Sequence, residues 1–141
     1  MFHTFGAHTA ACAAAERVLR ILRDEQLVAR AARMGEHLAA RLAEAFADHP
    51  HVAETRGRGL LQAVEVVKDR ETLEPFPAEA KLTTRIVEAG IERGVFFYPG
   101  GTGEIRDVIC FGPPFVVTEA ELDTMVAVLR EAVDAAIGSV R

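Results

Sequence analysis

Residues 95–114 read VFFYPGGTGEIRDVICFGPP, and the spacing inside this stretch decides the fold class. Val95–Tyr98 and Asp107–Phe111 are β-branched and aromatic, which suits strands. Pro99-Gly100-Gly101-Thr102-Gly103 stops the first, and Gly112-Pro113-Pro114 stops the second. The connection is too short for a helical crossover, so the two strands are expected to run antiparallel. Beyond them, Thr118 and Glu121 form a Thr-x-x-Glu capping box. Leu122, Met125, Val126, Leu129, Val133 and Ile137 then make an apolar helical stripe, with Gly138 as its C-cap.

On the N-terminal side, Ala78–Arg93 reads as a helix with Leu82, Ile86 and Ala89 facing inward, and Lys68–Pro77 as a polar loop. Arg56-Gly57-Arg58-Gly59 reads as turn chemistry leading into a strand, Leu60–Val67. Leu27, Ala31, Met34, Leu38, Leu42 and Ala45 mark an amphipathic helix, ended by an exposed turn at Asp48-His49-Pro50-His51. His8–Arg23 is an alanine-rich helix with Ala11, Ala14, Ala15, Val18 and Leu22 on one face. The order is helix, helix, strand, helix, strand, strand, helix. It predicts an α+β layer: a small, mostly antiparallel sheet covered by helices on one face. The other face needs a cover from elsewhere.

At 141 residues the chain is one domain by size. Half of it is apolar and 26 % is charged, so a packed core is expected and disorder is not. No apolar run reaches the ~18 residues of a membrane span. Sixteen basic against 21 acidic residues give −5, which argues against a nucleic-acid or anionic-membrane partner. Cys12 and Cys110 are far apart in apolar settings, which fits small core residues in a reducing compartment. Met1 begins no basic and apolar leader, so a cytoplasmic location is expected. Only two lysines occur, Lys68 and Lys81.

Few residues suggest chemistry by themselves. His3 with His8, and His49 with His51, lack a third ligand, so no metal site is expected. Phe2-His3-Thr4-Phe5-Gly6-Ala7-His8-Thr9 precedes a helix, where free N–H groups could take a phosphate or where Thr4 or Thr9 could simply cap. Arg106 follows the glycine-rich loop and could bind a carboxylate in bidentate fashion, or pair with its acidic neighbours in solvent.

Several motifs, taken together, resemble one family. His3-Thr4-Phe5-Gly6-Ala7-His8 through Cys12-Ala13-Ala14-Ala15, Arg56-Gly57-Arg58-Gly59-Leu60 with Glu65-Val66-Val67-Lys68-Asp69-Arg70, Tyr98-Pro99-Gly100-Gly101, Phe111-Gly112-Pro113-Pro114-Phe115 and Thr118-Glu119 with Glu121-Leu122 stand in register with class III aminotransferases. These are pyridoxal-phosphate enzymes of fold type I, and the omega-transaminase branch is the most similar. The resemblance spans residues 1–141 and implies the C-terminal small domain, with residues 1–9 as a loop at the cofactor phosphate and the dimer interface. It implies that Thr4 contacts the phosphate of the neighbouring subunit's pyridoxal phosphate, with Phe2 and His3 shaping the same loop.

The family pattern departs here at Gly6-Ala7-His8-Thr9, where a serine, a glycine and a proline are usual. The ornithine-type substrate arginine falls on Cys110 and the omega-type arginine on Gly103, leaving Arg106 between them as the substrate candidate. The family's Schiff-base lysine belongs to the large catalytic domain, which this chain is expected to lack. Lys68 matches a surface loop and Lys81 an exposed helix start, so the chain contributes no catalytic residue. The resemblance thus implies part of an enzyme moving an amino group between an amine or amino acid and a keto acid, inactive alone. Its partners would be the large domain and a homodimer mate. The alternatives are a non-catalytic partner subunit, or an independent α+β interaction or small-ligand domain.

Overall fold

In the strand Leu61–Val66 the buried side chains alternate, Gln62, Val64 and Val66, and this period of two sets the inner face of the sheet. The computed structural model describes residues 6–103 and 105–140. The elements are α1 (Thr9–Asp24), α2 (Leu27–Phe46), β1 (Val52–Arg58), β2 (Leu61–Val66), a 3₁₀ turn at Ala78–Ala80, α3 (Leu82–Glu92), β3 (Tyr98–Thr102), β4 (Ile105–Phe111) and α4 (Glu119–Gly138). The strands order as β1-β2-β4-β3, and every neighbouring pair is antiparallel. The α+β class and the antiparallel final hairpin therefore match the expectation.

Register places Gln62 opposite Phe111 and Val64 opposite Ile109, so these four share the inner face. Leu38, Leu42 and Phe46 of α2, Leu82 and Ile86 of α3, and Leu122, Val126, Leu129 and Val133 of α4 close over it in one core. The reverse face carries Leu61, Ala63 and Glu65 of β2 with Val108 and Cys110 of β4 and Tyr98 of β3. Leu61 and Tyr98 stand there about two-thirds exposed. The capping box of α4 is present in both directions, Glu121 N–H to the Thr118 hydroxyl and Thr118 N–H to the Glu121 carboxylate.

The Arg56-Gly57-Arg58 stretch is strand β1, not turn; the reversal is confined to Gly59 and Leu60. Gly57 is needed because β1 and β2 converge there, and a Cβ would stand 2.1 Å from the Leu61 carbonyl oxygen. Tyr98–Thr102 is the strand and Val95–Phe97 is not. An edge strand tolerates Pro99, whose missing N–H costs no ladder bond on the open side. Helix α3 begins at Leu82 because Lys81 adopts φ +48°, outside helical space. His8, not Thr9, caps α1, its ring accepting from Ala11 N–H, while Thr4 lies outside the described residues. Gly138 is the last helical residue, and Ser139 is the cap.

Helix α1 rests on α2 and buries no residue, so Ala11, Ala14, Ala15 and Val18 are exposed and, of that face, Leu22 is half-buried. Cys12 is accordingly exposed rather than a core residue, and Cys110 is half-buried on the reverse sheet face. His49 is 2 % exposed, so this one side chain is enclosed while Asp48 and Pro50 of the same turn are exposed as expected.

Candidate functional site

The segment after β4 cannot continue the sheet, because Pro113 and Pro114 lack N–H donors. It leaves the sheet and crosses to α4, and Arg30 of α2 holds it. Arg30 donates through Nε to the Phe115 carbonyl at 3.1 Å and through a terminal nitrogen to the Val117 carbonyl at 2.6 Å. This fixed strap divides two apolar grooves. One, of about 630 Å³, lies on the reverse sheet face among Leu61, Phe96, Tyr98, Cys110, Val116 and Met125. The other, of about 880 Å³, lies between α2 and the β1–β2 turn and is lined by Val28, Ala31, Gly35 and Phe115. They meet at Leu61, Gly112 and Pro113. Val28, Leu61, Phe96, Tyr98, Phe115 and Val116 are exposed there together, a continuous apolar surface of the kind that marks an interface.

Arg106 sits at the far end of β4, in a cleft of about 450 Å³ with Glu65, Val67, Leu73, Pro75 and Ile105. Its Nε is buried and has no hydrogen-bond partner among the described residues. Glu104, its acidic neighbour in the loop, lies outside the described residues. Glu65 is engaged elsewhere: it and Glu54 both accept from Arg56 on the reverse face. Asp107 turns the opposite way. It is buried, and its carboxylate accepts the Thr83 hydroxyl at 2.9 Å and the Thr83 N–H at 3.3 Å. It thereby caps α3, whose own N-cap Lys81 makes no side-chain bond. Burial pushes the Asp107 carboxyl above the usual range, against the pull of the two Thr83 bonds.

Of the sequence candidates, Thr4, Phe2 and His3 lie outside the described residues, and the structure places Arg106 in a cleft. Lys68 is half-exposed and its ammonium pairs with Glu74 at 2.6 Å. Lys81 is exposed at the start of α3. Neither lies in a cleft suited to a covalently held cofactor. Among the described residues no group of three His, Cys, Asp or Glu side chains gathers to hold a metal ion, and no helix is long and apolar enough to cross a membrane. The Asp107 cap, the Glu54–Arg56–Glu65 ladder and the paired grooves were not foreseen. The alternation Glu54, Arg56 could have signalled the ladder had Val52–Arg58 been read as a strand.

Comparison with known proteins agrees with this architecture. The class-III aminotransferase family model matches residues 2–133, and the chain belongs to that family. An uncharacterized aminotransferase of Schizosaccharomyces pombe is 42 % identical over 141 residues, covering 98 % of this chain and 31 % of the relative. A transaminase structure from directed evolution by ancestral reconstruction covers the whole chain at 37 % identity with a TM-score of 0.92, using 30 % of its own length. A thermostable omega transaminase of Pseudomonas jessenii matches 84 % of the chain at 36 % identity and a TM-score of 0.74, over 25 % of its length. The chain thus spans under a third of the length of these relatives.

Proposed function

We propose that residues 1–141 serve as the C-terminal small domain of a cytoplasmic, pyridoxal-phosphate-dependent transaminase of the omega type, acting as a homodimer. The observation that carries this reading is the superposition of the whole chain, at a TM-score of 0.92, on under a third of a transaminase. The enzyme moves an amino group between an amine or amino acid and a keto acid. When bound, the cofactor supplies an electron sink for the substrate carbon that loses a proton. The two lysines of this chain do not fit its covalent attachment, so the attaching lysine belongs to a large domain outside these residues. This chain's part is binding and positioning. Thr4, with Phe2 and His3 in its loop, contacts the cofactor phosphate of the neighbouring subunit. Arg106 receives the substrate carboxylate through its guanidinium, whose Nε has no hydrogen-bond partner among the described residues. The joined apolar grooves receive the large domain and the second subunit.

The test is a chimera in which residues 1–141 replace the matching C-terminal segment of the Schizosaccharomyces pombe relative. The chimera is expected to transaminate a keto acid. Within it, Arg106→Ala raises KM for the keto acid about tenfold, the equivalent of ~1.4 kcal/mol, with kcat little changed. A folded chimera without transaminase activity overturns the reading. An active chimera indifferent to Arg106→Ala removes Arg106 from the substrate site alone.

A further inference from the structure

The turn between α2 and β1 holds the most enclosed titratable group of the described chain. The His49 side chain is 2 % exposed. Its Nδ1 accepts the backbone N–H of His51 at 3.1 Å. A backbone N–H can only donate, so the Nδ1 lone pair is committed and the ring proton sits on Nε2. Nε2 donates in turn to Asp134 Oδ1 of α4 at 3.1 Å. Asp134 Oδ2 accepts from Arg130 at 3.0 Å, and Arg130 reaches back to the Ala45 carbonyl of α2 at 2.6 Å. Neutral His49 thus ties three elements: the end of α2, the entry to β1 and the middle of α4. The chain continues the tie, with Val52 N–H bonded to the His49 carbonyl at 3.2 Å and the His51 ring 2.8 Å from the Lys68 carbonyl oxygen.

A second proton on His49 has one place to go, Nδ1. There it meets the His51 N–H head-on, and one of the two donors must move. The charged and titratable groups around the ring are Asp134 and Arg130 from α4 and His51 from the turn itself. Phe46 meets it edge-on from α2, with ring centroids 5.7 Å apart.

We propose that His49 is an acid-released staple: neutral, it pins the α2–β1 turn to α4, and protonated, it frees the His51 amide and lets that turn open. The surroundings agree with the geometry. Burial, aided by Arg130 and His51, holds the imidazole below its ordinary pKa and outweighs the pull of Asp134. The unfolded chain, with an ordinary histidine near 6.5, then binds more protons than the folded one in mildly acidic solution. The staple's contribution is therefore complete above pH ~6.5 and is lost as pH falls from there towards the folded value, by up to about tenfold in the folding constant per pH unit.

Hydrogen exchange of the 141-residue chain, followed by NMR from pH 7 to pH 5 and corrected for intrinsic rates, tests this. The His51 amide is expected to gain in opening by several-fold to about tenfold per pH unit, ahead of the amides of α3. In His49→Gln, where the side-chain oxygen can accept from His51 N–H and the amide nitrogen can donate to Asp134, that pH dependence is expected to disappear. A flat His51 profile in the native chain overturns the proposal, as does the same rise in His49→Gln. If His49→Gln does not fold, ring nitrogen shifts of the native chain decide. An Nε2–H tautomer that titrates below the ordinary histidine range supports the staple, and ordinary titration at 6.5 with an unmoved His51 amide refutes it.

Discussion

Gly35→Ala is expected to destabilise the fold by about 3 kcal/mol or more, the upper end of what overpacking costs. Helix propensity alone predicts the reverse sign, since alanine is favoured over glycine in a helix interior by about 1 kcal/mol. The geometry decides between them. Helix α2 crosses the β1–β2 turn at Gly35, where a Cβ would stand 2.3 Å from both the Gly59 Cα and its carbonyl carbon. Those are backbone atoms, so no rotamer change relieves the clash. Gly59 itself holds φ +57° and cannot readily move aside. Either α2 lifts from the sheet, opening the core at Met34 and Leu38, or the turn distorts. Urea unfolding reads the result as a lower midpoint with an unchanged slope. An unchanged or raised midpoint would show that α2 does not approach the turn this closely.

The second large effect separates two neighbouring phenylalanines. Phe97→Ala is expected to cost about 3–5 kcal/mol, the range for removing a buried aromatic side chain. Phe97 is 1 % exposed, its ring meets Phe111 edge-on at 5.6 Å between centroids, and it lies where a Cβ on Gly90 would strike it. Phe96 is 65 % exposed on the rim of the reverse-face groove. Phe96→Ala should therefore leave the stability of the 141-residue chain within about 0.5 kcal/mol, as for an ordinary surface change. Against a total stability of ~5–15 kcal/mol, the first loss is visible in any thermal or urea scan. Equal losses at both positions would contradict the inward turn of Phe97 just before β3.

The two phenylalanines also show how far the sequence could be read. Val95–Tyr98 is apolar at every position, and a continuous apolar run carries no period from which to tell the inner residue from the outer. Helix α4 was legible because its capping box and its three-and-four spacing point to one answer. Strand β1 was hidden for the opposite reason. It is an edge strand with alternating charges, Glu54 and Arg56, and its glycine resembles turn chemistry until its packing against β2 is seen. Along α1 the spacing states that a face is apolar, not what covers it, so Cys12, expected as a small core residue, is exposed.

The candidate site was legible only in part. Arg106 was noticed as a cation after a glycine-rich loop, but its buried Nε depends on a cleft formed with residues 65–67 and 73–75, far away in sequence. Asp107 as a cap for α3 was invisible for the same reason: its partner Thr83 is 24 positions distant. His49 lies in a turn expected to be exposed, and its partner Asp134 is 85 positions on, where no local signal reaches.

The proposed division of labour, in which this chain binds and positions while the cofactor-holding amine lies in a large domain outside it, predicts no specific attachment of the cofactor here. Its most direct test is to incubate the 141-residue chain with pyridoxal phosphate, reduce with borohydride and map the modified lysines by mass spectrometry. Only slight labelling is expected, spread over the exposed Lys68 and Lys81 and competed away by free lysine. Stoichiometric, specific fixation on either lysine, with the absorbance band of a bound cofactor before reduction, would contradict it.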